Sequence, residues 1–310
     1  MAGYSPARGA LPNRLLRAVG SGSGPGSRPG RTPGQSRAMT GVWNSVAVLF
    51  GLVMAFPIYW MVLTTVKSNQ DLLTQNPSFW PKHFDFASYR TVFADPDFLN
   101  SMRNTAIITV GSVFAGLVIG FLAAVAVARF RFRGRNPFIV AILIVQMVPL
   151  LSIAIPLYIV LNKAGLYDQY LGVIVAYLVF TIPYVVWTLR SFIVNIPVEL
   201  DEAAMVDGCT RWGAFFRIIL PLSLPGLVTT GVYAWIQAWN EFILANTLLS
   251  SNSKRTSMVW LAFYSSDPTH GADYGAQMAG ALLISLPVII LFVIFQKKVA
   301  SGLTAGAVKG

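Results

Sequence analysis

The stretch "EAAMVDGCTRWGAFFRIILP", residues 202–221, lies between two long apolar segments, and it decides how the rest of the chain is interpreted. An acidic run, residues 199–207, overlaps its start and contains no lysine or arginine. Acidic side chains in the first turn of a helix are stabilised by the positive end of the helix dipole. Gly208 favours a left-handed turn that ends such a helix, and Thr210 is a suitable N-cap for the next one. The sequence therefore predicts two short helices joined by a turn.

The composition is that of a membrane protein. Of the 310 residues, 55% are hydrophobic and only 11% are charged, whereas soluble domains carry about 25% charged residues. Six uncharged stretches each reach the roughly 20 residues that a helix needs to cross a bilayer. They are residues 42–66, 104–128, 136–162, 169–189, 218–240 and 274–296. Because only helices and closed barrels satisfy their backbone in lipid, we predict an all-α integral membrane protein with six transmembrane helices.

The basic residues predict the orientation. Sixteen of the 23 lysines and arginines lie in the segments that are cytoplasmic if the N-terminus is inside, and the run "RFRFRGR", residues 129–135, is the strongest of these anchors. Both termini are then in the cytoplasm, as is the loop 190–217 that carries the acidic run. The net charge of +11 is spread over these segments rather than clustered on a soluble domain, so nucleic-acid binding is not expected.

The domain organisation follows from the same pattern. Residues 1–41 are rich in Gly, Ser, Pro and Arg, which predicts a disordered basic cytoplasmic tail. Residues 42–296 form the six-helix domain, and residues 297–310 form a cytoplasmic C-terminal tail. A helix as short as the acidic one is not stable alone in water, so it needs a surface to pack against.

Two interpretations of the acidic helix are open from the residues themselves. It either docks on a basic cytoplasmic partner or rests on the membrane surface as an amphipathic helix. Interfacial helices carry Lys and Arg on their polar face, which argues against the membrane surface. A face of mostly small side chains allows close approach of a partner: Leu200, Ala203, Ala204 and Asp207.

The same residues carry a family resemblance. Glu202-Ala203-Ala204, then Gly208, then Ile218 to Pro221 resembles the EAA loop of permease subunits of ATP-binding-cassette importers. The resemblance implies a pair of coupling helices that fits a cleft in a cytoplasmic ATPase. Glu202 would pair with a basic residue of the ATPase, and Gly208 would make the turn. The coupling residues that it implies are Glu202, Ala203, Ala204, Asp207, Gly208, Ile218 and Pro221.

Other stretches resemble the carbohydrate branch of these importers, specifically its maltose-type second permease. They are "SGLTAGAVKG" (301–310), "AWNEF" (238–242), "RNTAIIT" (103–109) and "RFRFRGRN" (129–136). In that branch the C-terminal tail reaches the ATPase, which implies contacts at Gly302, Gly306 and Lys309.

The implied assembly contains a second permease, two cytoplasmic ATPase subunits and an extracytoplasmic solute-binding protein, in a bacterial or archaeal cytoplasmic membrane. ATP and Mg would be bound by the ATPase. This chain would bind no cofactor and catalyse no reaction.

Glu241 is the ionisable residue within the apolar segments, and such residues are candidates for function. One hypothesis is that Asn240 and Glu241, with Trp235 and Trp239, line the translocation pathway, where carboxylate and amide groups suit sugar hydroxyls. The alternative is a structural hydrogen bond from Glu241 to another span or to the partner permease.

Three rival functions are weighed against a sugar importer. A membrane enzyme would need paired acids or a His/Asp cluster at a water-filled mouth, and the dense acidic cluster lies on the loop 190–217 instead. An ion-coupled secondary transporter would show several charges near the bilayer midplane and related halves. An importer of glycerol-phosphate or of another non-sugar solute shares the EAA loop and stays open.

Overall fold

The computed structural model describes residues 37–74, 78–264 and 273–307, and every regular element in these ranges is helical. The first helix, α1, runs from Arg37 to Thr65 and contains Pro57. The chain divides into two compact units between Phe56 and Pro57. In the described part of the first unit the side chains are exposed. Of the tail predicted over residues 1–41, residues 1–36 lie outside the described ranges, and residues 37–41 begin α1 instead.

Twelve further α-helices follow in the described residues of the second unit. They are α2 (Asn69–Leu72), α3 (Ala87–Ala94), α4 (Pro96–Arg129), α5 (Arg135–Met147), α6 (Leu150–Lys163), α7 (Tyr170–Val194), α8 (Val198–Val206), α9 (Arg211–Ala214), α10 (Leu220–Trp239), α11 (Ile243–Leu248), α12 (Ser257–Tyr264) and α13 (Tyr274–Ala307). Five helical segments are long and apolar enough to cross a membrane, or six if the bent pair α5–α6 counts as one span. The all-helical membrane fold predicted from the sequence is confirmed.

The central contact of the second unit is between α4 and α7, two helices that pack along their length. Asp95 caps α4, because its Oδ1 accepts a hydrogen bond from the Asp97 amide at 2.8 Å. A Cβ added to Gly116 would lie 2.4 Å from Thr181 Cγ2, and one added to Gly120 would lie 2.5 Å from Val185 Cγ1. The two glycines therefore set how closely α7 approaches α4.

The third predicted span, residues 136–162, is not a single straight helix. The structure breaks it into α5 and α6, which meet at an angle of 104°. Val148 is extended with a ψ of 124°, and Pro149 precedes the first turn of α6. Proline disfavours helical backbone in the residue before it and donates no hydrogen bond, which accounts for the break. The uncharged run predicted the length of the span but not its course.

An acidic residue ties the α6–α7 loop to the segment after α11. Asp168 accepts hydrogen bonds from the Ser250 and Ser251 amides at 3.0 and 3.1 Å and from Ser251 Oγ at 2.6 Å. Lys254 Nζ lies 3.1 Å from its Oδ2. Burial by itself raises the pKa of Asp168, but these hydrogen bonds outweigh it and hold the pKa at about 2. The carboxylate thus fixes the two segments in its ionised form.

The last helix is longer than the apolar run predicts. α13 begins at Tyr274, where the predicted sixth span begins, and continues to Ala307, past the predicted end of the span at residue 296. Two basic residues, Lys297 and Lys298, are consistent with a helix that leaves the bilayer without unwinding, since helices satisfy their own backbone in either medium.

Candidate functional site

The acidic run forms α8, as the local signals predict. Pro197 is the N-cap and Glu199 and Asp201 lie in the first turn. At the other end Gly208 adopts a φ of +89°, in the left-handed region that favours glycine. Its turn is closed by the hydrogen bond from the Cys209 amide to the Ala204 carbonyl, at 2.9 Å. The helix and turn inferred from the sequence are therefore present.

The second helix of the loop is continuous with a membrane span. Thr210 Oγ1 accepts a hydrogen bond from the Gly213 amide at 3.1 Å and so caps α9. The chain then forms one π-helical turn, Phe215–Ile219, before α10 begins at Leu220. Such turns insert an extra residue into a helix and are frequent at functional sites. α9, the π-helical turn and α10 thus form one continuous helical segment, Arg211–Trp239.

The residues implied for coupling divide between an exposed and a buried side of the loop. Glu202, Ala203, Asp207, Gly208 and Pro221 are exposed. Ala204 is buried and Ile218 is partly buried. The face predicted from Leu200, Ala203, Ala204 and Asp207 is not exposed as a whole, because Ala204 lies at its buried border and Ala203 at its exposed side. Ala204 packs inward, and Glu202 and Ala203 are the side chains offered to a partner.

A buried ion pair fixes this loop to the end of α4. Arg129 Nε lies 2.8 Å from Asp201 Oδ2, and the two side chains are 7% and 12% exposed. Arg129 Nη1 also donates to the Ile196 carbonyl at 3.0 Å. The sequence assigned Arg129 only to membrane orientation and Asp201 only to the helix dipole. Their pairing depends on tertiary packing, and no spacing between residues 129 and 201 could reveal it.

Two open cavities adjoin these elements. One, of about 590 Å³, lies beside the ion pair and is lined by α4, α8, α9 and the π-helical turn. The other, of about 480 Å³, lies between the α5–α6 break, α7 and α10. Its polar lining residues are Gln146, Thr181, Tyr184, Tyr233, Gln237 and Glu241. We call the second one the break cavity.

The four residues predicted for the pathway are not brought to one surface. Glu241 is 7% exposed and lines the break cavity, and its carboxylate accepts hydrogen bonds from the Leu244 and Ala245 amides at 2.7 and 3.0 Å. It thus holds the first turn of α11, and it also forms a hydrogen bond with the Tyr177 side chain of α7, so the structural hydrogen bond to another span is present.

The other three residues of that set lie elsewhere. Trp239 is buried and donates from Nε1 to the Ile284 carbonyl at 3.0 Å. Trp235 stacks on it with ring centroids 5.8 Å apart, and lines a separate apolar groove. Asn240 is exposed and donates to the Ile236 carbonyl at 2.8 Å. The local sequence around Glu241 did not indicate the other polar residues of the cavity. Gln146 and Tyr184 come from other helices, and Tyr233 and Gln237 come from turns of α10 before Glu241.

The predicted C-terminal contact residues are placed only in part. Gly302 and Gly306 lie in the last turns of α13. Lys309 lies outside the described residues. The interaction of this tail with an ATPase stays a prediction.

The fold combines long apolar helices, a short helix pair between the fourth and fifth of them, and a broken helix beside a polar cavity. Together these features are typical of a multi-pass membrane transport subunit. Residues 116–304 match the family of binding-protein-dependent transport system inner membrane components. The chain belongs to this family, and it is a multi-pass protein of the cytoplasmic membrane. The family resemblance seen in the EAA loop is thus confirmed.

Known relatives span nearly the same length. The chain is 38% identical over 270 residues to the diacetylchitobiose uptake system permease protein DasC of Streptomyces coelicolor, covering 87% of this chain and 97% of the relative. It is 34% identical over 267 residues to the trehalose transport system permease protein SugB of Mycobacterium tuberculosis, covering 85% and 97%. A subunit of a crystallised bacterial ABC transporter for alginate import superposes with a TM-score of 0.75 at 24% identity, covering 86% of this chain and 99% of that one, and shows the fold.

Proposed function

We propose that this chain is one of two different permease subunits of an ATP-driven importer of a neutral di- or oligosaccharide. Relatives named for the uptake of diacetylchitobiose and of trehalose support the sugar class. The observation that carries the proposal is the form of the loop: α8 offers Glu202 and Ala203 outward, while Asp201 and Ala204 hold its other side to the permease. That is the form of a docking element that transmits force.

The assembled importer contains a second permease, two ATPase subunits and an extracytoplasmic binding protein. ATP and Mg are bound by the ATPase, and this chain has no catalytic role. Glu202 meets a basic residue of the ATPase, and its exposure leaves it free to do so. Both termini and the α8–α9 loop lie in the cytoplasm, which is the orientation that the arginine-rich run 129–135 favours.

The structure suggests two routes by which the loop moves the spans. α9 leads through the π-helical turn into α10. α8 is bound through Asp201 and Arg129 to the end of α4, and α4 packs along α7. Closure of the ATPase pair on ATP would displace both routes together and shift the spans between their inward- and outward-facing arrangements, as alternating access requires. Hydrolysis would then reset the cycle.

The test is purification of the tagged chain from its own host in mild detergent, followed by identification of the copurifying proteins. We expect a second permease and an ATPase. Glu202→Lys places like charges at the interface, which costs several kcal/mol, and should reduce recovered ATPase by about 100-fold. Glu199→Lys is the matched control, since Glu199 is also an exposed glutamate of α8.

Three outcomes separate this function from its rivals. Loss of the ATPase with Glu202→Lys but not with Glu199→Lys supports the proposal. Equal recovery in both variants contradicts the role of Glu202. A chain that purifies alone and carries out uptake without an ATPase would be a secondary transporter instead. The recovered binding protein, titrated with a panel that includes trehalose and diacetylchitobiose, then identifies the sugar.

A further inference from the structure

We infer that the break cavity is a carbohydrate subsite contributed by this chain, in which the amides of Gln146 and Gln237 bind sugar hydroxyls beside the ring of Tyr233. This inference rests on the proposed function, because it names where the sugar passes. It concerns side chains that the sequence alone did not bring together.

The break between α5 and α6 requires a polar environment. Val148 is extended and 41% exposed, and Pro149 beside it is exposed, so non-helical backbone reaches the surface within an otherwise apolar pair of helices. Irregular backbone at membrane depth is tolerated only where protein covers it or where it lines a water-filled cavity. Within the described residues this stretch lines the break cavity. The cavity is therefore filled with water or solute, or covered by a partner subunit, rather than exposed to lipid.

Two exposed amides face the same space. Gln146 comes from the last turn of α5 and Gln237 from the last turn of α10, and both line the cavity. An amide left in hydrocarbon without a partner costs several kcal/mol. Each amide offers one acceptor and two donors, which matches the paired donors and acceptors of neighbouring sugar hydroxyls.

The aromatic side chains supply a flat apolar wall. Tyr184 and Tyr233 stack with ring centroids 4.3 Å apart and an interplanar angle of 30°. Their pairing holds the ring of Tyr233 in a fixed orientation, and this side chain is exposed. The C–H face of a pyranose packs on such a ring while its hydroxyls point to the amides. A few placed polar groups among apolar and aromatic ones are typical of small-molecule sites.

Size and charge favour a neutral sugar. The volume of about 480 Å³ falls in the range of small-molecule sites, about 300–1,000 Å³. None of the residues lining the cavity is a lysine or arginine, and one, Glu241, is a carboxylate. The Glu241 carboxylate is already held by backbone amides of α11 and by the Tyr177 side chain, so the amides of Gln146 and Gln237 are the groups offered to a sugar. A phosphate ester would find no cationic partner in this cavity and would lie near the acidic side chain of Glu241, so glycerol-phosphate does not fit.

The experiment uses the complete importer, purified from its host and placed in lipid nanodiscs or vesicles, and the sugar that its binding protein holds. Gln146→Leu and Gln237→Leu remove the amides at nearly constant volume, and Gln296→Leu is the matched control. Gln296 is an exposed glutamine near the end of the predicted sixth span that bonds the Val293 carbonyl and does not line the cavity. We expect sugar uptake to fall about tenfold in each cavity variant, with ATPase stimulation by the loaded binding protein within twofold of wild type.

A local readout uses the chain's single cysteine. In a Cys209→Ala background, Gln237→Cys is treated with a methanethiosulfonate reagent with and without the sugar during turnover, and Gln296→Cys serves as control. We expect the sugar to slow labelling at position 237 at least threefold and not at position 296.

Each other outcome overturns the inference. Labelling at position 237 that is fast and unprotected, with normal uptake in the Leu variants, would show that the sugar passes elsewhere. No labelling under either condition would show that the second permease fills the cavity. If instead the wild-type importer takes up no sugar, or its binding protein holds none, the proposed function itself fails, and that result precedes any comparison of variants.

Discussion

The buried pair between Arg129 and Asp201 gives the sharpest prediction from the structure. The perturbations are Asp201→Leu, Arg129→Met and the double variant that carries both. The Nε and Oδ2 atoms lie 2.8 Å apart and both side chains are nearly enclosed. Arg129 Nη2 and Asp201 Oδ1 have no hydrogen-bond partner among the described residues. Each single variant therefore leaves one charge enclosed with little to compensate it.

The expected magnitude follows from that burial. Removing one partner of a buried ion pair costs about 3–5 kcal/mol, whereas an exposed pair contributes about 0–1 kcal/mol. In a chain of this size about 1 kcal/mol corresponds to roughly 2 °C in the melting temperature, so each single variant should melt roughly 6–10 °C lower. Replacing both partners by apolar side chains removes the stranded charge, and the double variant should therefore be more stable than either single variant.

The first assay is thermal unfolding of the purified chain in detergent, for the wild type and the three variants. The second assay is ATP hydrolysis by the complete complex, stimulated by the binding protein. The double variant should recover stability while stimulated hydrolysis stays low, because apolar side chains do not hold α8 to α4 directionally. Single variants that melt within 2 °C of wild type, or a double variant whose loss is the sum of the two, would refute the reasoning.

Three other changes test the local geometry. Gly208→Val forces a β-branched side chain to a φ of +89°, which should lower the free energy of unfolding by about 1–2 kcal/mol and reduce the recovery of the ATPase. Gly208→Asn should stay near wild type, and equal melting temperatures for the two variants would contradict this. The ionised Asp168 has a folded pKa of about 2 against 3.8 when unperturbed, so its stabilisation of about 2 kcal/mol is present above about pH 4 and lost as the pH falls toward 2. Asp168→Asn should lower the melting temperature at pH 7 and flatten its dependence on acid pH; an unchanged slope would exclude this role. Gly120→Ala places a Cβ 2.5 Å from the stiff Val185 side chain and should lower the free energy of unfolding by about 1–3 kcal/mol. Gly111→Ala should cost less, because its Cβ meets the flexible end of an isoleucine at 2.8 Å. The reverse order in thermal unfolding would contradict the packing argument.

Features that depend on neighbours in the sequence were determined by the sequence itself. Uncharged runs of sufficient length fixed the apolar spans, because the cost of burying charge in lipid acts on each segment separately. The acidic first turn, Gly208 and the Thr210 cap fixed the helix pair of the loop, because dipole, φ and capping effects act within a few residues. The family resemblance rested on the same local spacing.

Features that join distant residues were decided by the tertiary structure. The sequence did not show that Asp201 turns inward to Arg129 or that Glu241 bonds the Tyr177 side chain of α7. Nor did it show that Gln146 and Gln237 meet in one cavity. Each of these depends on which helix faces stack together, and hydropathy within an all-apolar helix does not distinguish one face from another.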